Sequence, residues 1–197
     1  RALFVGGWAP GPFGPMPSQY EYNDYLKSSW GINVDTSALL IETTNIGPGK
    51  YAVGRRDFFN MDHLDTGDHD IVRGAAARQV GLPWCSPLEL TSPAPEGVHV
   101  SKLIILPKRD GIWGIKNIQA YQDQMEKADH LTKVEGDLEG PFDLAVGATK
   151  GDAKVVVVSS REFARDEVAF ARELGMSAQG LTIRTKNPGN VTLLVNS

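Results

Sequence analysis

The chain lacks most features that would point to a reaction or to a class of partner. Only one of its 197 residues is cysteine, Cys85, so no disulfide can form within the chain and the redox compartment stays open. No apolar run approaches the ~18 residues that a membrane-spanning helix needs. The net charge is −4 and lysine and arginine form no basic stripe, which argues against a nucleic-acid partner.

Sequence signatures of catalysis and of cofactor binding are also missing. No Gly-x-Ser-x-Gly or Gly-x-Cys-x-Gly elbow occurs, and Cys85 in "PWCSP" is expected to be an inert, buried thiol. The stretch "GGWAPGPFG" interleaves glycine with proline, which offers no N–H to a phosphate. In "NIGPGK" the residue after the lysine is Tyr51, where a phosphate loop has serine or threonine. We therefore expect no enzymatic activity and no cofactor.

The pattern that is present predicts a single α/β domain over residues 1–197, with strands and helices that alternate along the chain. Short apolar runs predict strands, and the unbroken run "VVVV" predicts a central strand that is covered on both faces. Strands are expected in "RALFV", "INVDTSALLIETT", "YAVGRR", "SPLELTS", "VHVSKLIILP", "LAVGAT", "KVVVVS" and "LTIRT". Because Lys150-Gly151-Asp152 separates two of these runs by a short turn, a hairpin is expected there and the sheet should be mixed.

Helices are expected where apolar residues recur at helical spacing. They are predicted in "SQYEYNDYLKSSWG", "DIVRGAAARQVG", "IKNIQAYQDQMEKADHL" and "REFARDEVAFARELG". Gly31 is expected to end the first of these helices, and a Ser159–Glu162 capping box is expected to begin the last. "NPGNVTLLVNS" fits either a helix or a strand. "WAPGPFGPMP" and "KRDGIWG" are predicted to be loops, the first because its four prolines oppose both helix and strand pairing.

Polar residues crowd the stretch that precedes Ile71. Its histidines and aspartates could bind a metal ion, although their spacing matches no recognised set of zinc ligands. The favoured interpretation is structural: Asp68 or Asp70 caps the helix that follows, because a carboxylate there accepts bonds from free amides. The alternative is a metal-dependent hydrolase, whose candidate ligands would be His63, Asp65, Asp68 and His69.

Two further stretches are candidate binding surfaces. Ser159, Ser160 and Arg161 follow a strand, and ligands of α/β proteins gather beyond the carboxyl ends of strands, so a sugar- or nucleotide-binding module is a second alternative. The proline-rich stretch at residues 8 to 18 could contact a protein partner through Trp8 and Phe13, because aromatic side chains dominate interface energetics. In the competing interpretation both rings fold back onto the core.

Several phrases together resemble one protein family. They are "YNDYLKSSWGINVDTSALL", "DHDIVRG", "LIILPKRDGIWG", "KVVVVSSREFARDE" and "NPGNVTLLVNS". Similar phrases, in the same order, occur in the auxiliary component of ABC-type transport systems linked to gliding motility. Asp70 stands where that family usually has proline, and the Ser159–Glu162 stretch replaces a glycine-led, acidic version.

The resemblance implies a fold and a role. Such proteins have a large domain outside the cytoplasmic membrane, on its periplasmic face, and are held there by transmembrane helices that this fragment would lack. The expected fold is a layered, Rossmann-like α/β domain with a mixed, largely parallel sheet, similar to glutamine-amidotransferase architecture. The family is not known for a catalytic centre. We therefore expect a non-catalytic accessory or binding domain, with ABC transporter membrane or ATPase subunits as its partners.

Overall fold

The computed structural model describes residues 1–11, 14–18, 20–53, 65–67, 69–73, 80–127, 130–177 and 180–197. Within these residues the secondary structure consists of short strands and a few helices. The strands are β1 (Ala2–Val5), β2 (Trp8–Gly11), β3 (Gly14–Pro17), β4 (Ile32–Val34), β5 (Leu39–Gly47), β6 (Lys50–Val53), β7 (Asp65–Thr66), β8 (Leu88–Leu90), β9 (Val98–Leu106), β10 (Ile112–Ile115), β11 (Leu138–Glu139), β12 (Phe142–Lys150), β13 (Ala153–Val158), β14 (Arg172–Ser177) and β15 (Gly180–Thr185). The α-helices are α1 (Tyr22–Trp30), α2 (Ile118–Lys127), α3 (Asp166–Ala169) and α4 (Pro188–Asn196), and a 3-10 helix spans Arg161–Ala164.

The main sheet is built around β12 and β13. Its strand order is β1-β13-β12-β8-β4, and β9 also pairs with β12 and carries β7 on its other side. The four valines of β13 are buried, as expected for a strand between two neighbours and covered on both faces. The predicted hairpin is confirmed, because β12 and β13 pair in antiparallel fashion across the turn at Lys150 to Ala153.

The prediction of a mixed α/β fold is confirmed, but the sheet is not largely parallel. Among the strand pairs of the described residues, β1 with β13 is the parallel one and the others are antiparallel. A short connection accounts for one of these pairs. The turn at Gly151 and Asp152 joins β12 directly to β13, whereas parallel neighbours need a long crossover.

Helix α1 covers one face of the main sheet. Leu26 and Trp30 are buried against Val146 and Val157 of the sheet. Gly31 ends the helix in the left-handed conformation, with φ of 68°, so its predicted role as C-cap is confirmed. A fully buried leucine such as Leu26 stabilises the fold by roughly 1.5–3 kcal/mol, which ties the helix to the sheet.

The second sheet lies across the opposite side of the core. Its order is β11-β10-β5-β6, and Leu40 and Ile112 from this sheet pack with Leu103 and Val156 of the main sheet. Helix α2, which the sequence predicts, covers its outer face through Tyr121, next to Trp113. The prediction of a loop in "KRDGIWG" is wrong in its second half, because that part begins the fully buried strand β10.

The proline-rich stretch is also not a simple loop. Strands β2 and β3 form an antiparallel ribbon in which Pro10 faces Pro15 and Trp8 faces Pro17. In such a ribbon alternate pairs exchange no backbone hydrogen bonds, so a proline there loses no ladder bond. Ala9 and Met16, which face each other between these two pairs, occupy the hydrogen-bonded kind of position. The prolines therefore select the register of the ribbon and do not abolish it.

The helix predicted for "REFARDEVAFARELG" is wrong. The chain forms the 3-10 helix and the single turn α3, and then enters β14, which pairs with β15. The predicted Ser159–Glu162 capping box is wrong: Ser160, not Ser159, precedes the 3-10 helix, neither serine side chain caps it, and Glu162 pairs with Arg165 at 2.6 Å. On the ribbon, Leu174 faces Ile183, and both side chains are at least two-thirds exposed.

Helix α4 closes the fold, so "NPGNVTLLVNS" is a helix. Asn190 is fully buried at its N-terminal end and connects three distant backbone groups. Its Nδ2 donates to the carbonyl oxygens of Gly81 at 2.8 Å and Phe163 at 3.1 Å, and its Oδ1 accepts from the Gly81 N–H at 2.8 Å. Asn187 Nδ2 donates to the Val168 carbonyl oxygen at 3.0 Å. The two asparagines of "NPGN" therefore join the start of α4 to distant parts of the backbone.

Candidate functional site

The polar cluster before Ile71 is only partly within the described residues. His63 and Asp68 lie outside them, as do residues 74–79 of the predicted helix, and Asp65 is described as backbone of β7. The described part of the predicted helix, residues 70–73, is a turn. In the portion of the chain that the structure describes, no group of three or more His, Cys, Asp or Glu side chains is placed to hold a metal ion.

His69 performs a capping role that the sequence analysis gave to aspartate. Its Nδ1 accepts a hydrogen bond from the backbone N–H of Ile71 at 3.2 Å. Asp70 pairs with the exposed side chain of Arg73 at 2.7 Å. The idea that polar side chains here satisfy free amides is thus supported at His69, whereas Asp70 forms an exposed ion pair with Arg73.

The strand end at Ser159 is closed to solvent. Ser159 and Ser160 are fully buried, and the Ser160 hydroxyl donates to the carbonyl oxygen of Pro83. Gly7 lies so close that an added Cβ would be 2.5 Å from the Ser159 carbonyl oxygen and 2.8 Å from that of Trp84. Its φ of 134° also favours glycine. Arg161 alone reaches the surface, where it donates to the Ser18 hydroxyl at 3.0 Å.

Cys85 is a buried, protonated thiol. It is fully buried, and its thiol donates to the Leu82 carbonyl oxygen at 3.1 Å. Burial raises the pKa of the thiol from 9.0 to about 12, and a smaller effect of the Ser159 hydroxyl opposes the shift. Because the thiolate is the nucleophile, these surroundings support the expectation of an inert cysteine.

The raised pKa of Cys85 predicts a loss of stability in alkali. Above about pH 9 the unfolded chain releases the thiol proton while the folded chain keeps it, so the free energy of unfolding should fall as pH rises. We expect urea denaturation to show this fall as the pH rises from about 9 toward about 12. The Cys85→Ala variant should show a shallower fall, because the remaining groups, Tyr22 included, titrate alike in both proteins. If the free energy of unfolding of Cys85→Ala fell with pH as steeply as that of the natural chain, the raised pKa of Cys85 would be contradicted.

Trp8 is part of the core. Its indole is 3% exposed and its Nε1 donates to the carbonyl oxygen of Ala38 at 2.9 Å. In this structure the ring is therefore not available as an anchor for a partner, in agreement with the competing interpretation. Phe13, the other candidate anchor, lies outside the described residues.

A cavity of about 420 Å³ opens at the end of the main sheet where β13 begins. His99 on β9 faces Thr149 on β12, and Thr149 in turn faces Lys154 on β13, so these three residues form one row across the sheet. Ser101, two positions from His99, lies on the same face because side chains alternate along a strand. The end of α4 and the turn at residues 69–71 complete the lining.

Basic side chains outnumber acidic ones in the lining of the cavity. Arg1, His69, His99 and Lys154 are basic, against the carboxylate of Asp70. This contrasts with the net charge of −4 for the whole chain. A concave region with an excess of one sign of charge concentrates ligands of the opposite sign.

Polar groups in the cavity remain available to a ligand. Considering contacts to described residues, the side chains of His99, Ser101, Thr149 and Lys154 take part in no hydrogen bond or ion pair. Small-molecule sites are usually clefts of roughly 300–1,000 Å³ with a few such convergent groups. The cavity falls within this range of volume and has several polar side chains in its lining.

Sequence reasoning did not identify this cavity. His99 falls inside the predicted strand "VHVSKLIILP" and Lys154 begins the predicted strand "KVVVVS", so neither residue stands out in the sequence. The sequence offers one signal: if Gly151 and Asp152 alone form the turn of the hairpin, Thr149 lies opposite Lys154. The position of His99 depends on the pairing of β9 with β12, which joins segments distant in the sequence.

Comparisons with known proteins leave the chain unassigned. No protein-family model, no curated protein and no solved structure matches it. In the described portion, no helix combines the length and the apolar character that crossing a membrane requires.

Proposed function

We propose that the chain is a non-catalytic binding domain and that the cavity beside His99 and Lys154 is its ligand site. The observation that carries the proposal is a row of uncommitted polar side chains in a cavity of about 420 Å³. The burial of Cys85, Ser159 and Ser160, the nucleophiles nearest the parallel strand ends, supports a role in binding over a role in catalysis.

The resemblance in sequence supports a biological setting for this domain. We propose that it is an accessory component of an ABC-type transport or gliding-motility system. Its partners would be the membrane or ATPase subunits of that system, and its parent protein would sit at the extracytoplasmic face of the cytoplasmic membrane. A Rossmann-like, amidotransferase-like layering is part of the same proposal. Support for it comes from α1 on one face of the main sheet and α4 on the other.

The ligand site can be tested by thermal denaturation with a panel of sugars, nucleotides, amino acids and phosphate esters. A compound that binds the folded chain stabilises it by mass action, by about 2.7 kcal/mol at a hundred times its Kd. We expect at least one class of compound to raise the Tm of the natural chain. The Ser101→Phe variant should lose this effect, because a ring at an exposed strand position would fill the cavity.

The matched control is Thr44→Phe, which places the same ring at an exposed position of β5, outside the cavity lining. This variant should keep the full rise in Tm. A ligand effect that survives in Ser101→Phe, or a panel without any effect, would refute the site. Chemical conversion of the stabilising compound during incubation would refute the non-catalytic role.

A further inference from the structure

We infer that the cavity binds the phosphoryl group of a small phosphorylated molecule, an inference that rests on the proposed function. The basis is the convergence of hydrogen-bond donors from separate parts of the fold. The Lys154 ammonium, the His99 ring and the Thr149 hydroxyl lie in one row, and the Ser101 hydroxyl lies on the next. The turn at His69, which also lines the cavity, adds a donor from outside the sheet.

The hydrogen bond of His69 determines which of its nitrogens is available. Because Nδ1 accepts from the Ile71 N–H, the proton of the neutral ring belongs on Nε2. Nε2–H is then the free donor of a residue that lines the cavity. His69 therefore offers a bond donor to a ligand even when its ring is uncharged.

The balance of charge favours an anion over a neutral ligand. Arg1 and Lys154 contribute positive charges to the lining, and its carboxylate side chain, Asp70, is paired with Arg73. Hydrogen bonds between an ammonium and an anionic oxygen are roughly twice as strong as those between neutral groups. A phosphoryl group would form such a hydrogen bond with the Lys154 ammonium, whereas a neutral sugar has no anionic oxygen to accept it.

The arrangement of the donors favours a phosphoryl group over a carboxylate. A carboxylate has two oxygens in one plane, whereas a phosphoryl group presents three terminal oxygens in a pyramid. The Lys154, His99, Thr149 and Ser101 side chains project from one face of the sheet, and His69 comes from the separate turn at residues 69–71, so the donors belong to two parts of the lining. A pyramidal group can satisfy more of them at once.

The remaining volume indicates that the ligand is larger than inorganic phosphate. The lining also contains apolar side chains, among them Ile71, Val156 and Val195, and Val195 is 78% exposed. An exposed valine beside a basic row can pack against the organic part of a phosphate ester. The expected ligand therefore has a phosphorylated end on the Lys154 row and an apolar part near Val195.

Isothermal titration calorimetry with phenyl phosphate, phenol and inorganic phosphate tests the inference. We expect phenyl phosphate to bind at least about tenfold more tightly than either half of the molecule, because each half lacks one set of contacts. Added salt should weaken its binding, since the attraction is partly electrostatic. The Lys154→Gln variant should lose about tenfold in affinity and Lys154→Arg should keep most of it.

The control is Lys50→Gln, an exposed lysine of β6 outside the cavity, which should bind as the natural chain does. Equal affinity for phenol and phenyl phosphate, or unchanged affinity in Lys154→Gln, would overturn the inference. If the ligand proves to be a neutral compound whose binding is lost in Ser101→Phe, the phosphoryl inference is overturned, but the proposed binding function stands. Competition by vesicles that contain phosphatidic acid, whose headgroup is a phosphate monoester, would identify a lipid as the phosphoryl source, and its absence would favour a free small molecule.

Discussion

The Asn190→Leu variant is expected to unfold with a free energy that is lower by about 3 kcal/mol or more. Asn190 is fully buried and satisfies the N–H and the carbonyl of Gly81 and the carbonyl of Phe163. Leucine has a similar volume but leaves these three backbone groups without partners. Each unsatisfied buried group costs about 1–3 kcal/mol, so the loss should be large although little packing volume changes. Urea denaturation measures it.

The control for this prediction is Asn196→Leu in the same helix. Asn196 is half-buried and makes one side-chain hydrogen bond, to the Ile71 carbonyl oxygen at 3.1 Å. Its replacement should cost about 1 kcal/mol or less, because water can reach the freed group. Equal losses in the two variants would show that the bonds of Asn190 do not hold Gly81 and Phe163 together as described.

The Trp113→Ala variant should lose about 3–5 kcal/mol of stability, the usual cost of removing a buried tryptophan side chain. Trp113 is 1% exposed and lies at the centre of the cluster between the second sheet and α2. Its ring is 5.0 Å from that of Tyr51 in an edge arrangement, and Lys133 Nζ lies 5.5 Å from its centroid. Alanine would leave a cavity and remove both contacts.

The conservative variant Trp113→Phe tests whether the stability loss in Trp113→Ala comes from the missing ring volume or from substitution at this position in general. Phenylalanine keeps a ring beside Tyr51 and fills most of the volume, so it should cost clearly less than alanine. Chemical denaturation of both variants, monitored by far-UV circular dichroism, provides the comparison. A loss below about 1 kcal/mol for Trp113→Ala would mean that this cluster is not a packed core.

The sequence predicts elements that local interactions determine. Helix α1 carries its apolar face and its glycine cap within ten residues, and the hairpin of β12 and β13 follows from two apolar runs around a short turn. These features need no information from distant residues. The apolar run of β13 indicated its central place for the same reason.

Errors arose where distant partners decide the structure. "REFARDEVAFARELG" has helical periodicity, yet its second half pairs with β15, and tertiary pairing outweighs a helix propensity of a few tenths of a kcal/mol per residue. "IWGI" is too short for periodicity to indicate a strand, and β10 forms because β5 and β11 flank it. The cavity escaped prediction for a similar reason, since His99 and Lys154 meet only through the pairing of β9, β12 and β13.

The most direct test of the central claim is the position of a bound ligand in solution. A titration of the isotope-labelled chain with phenyl phosphate, followed by amide resonances in two-dimensional NMR, maps the residues that sense it. We predict that the shifts concentrate at the amides of His99, Ser101, Thr149 and Lys154 and in the turn that follows His69. Saturable shifts that instead centre on Ser159 and Arg161, or the absence of any saturable shift, would contradict the account.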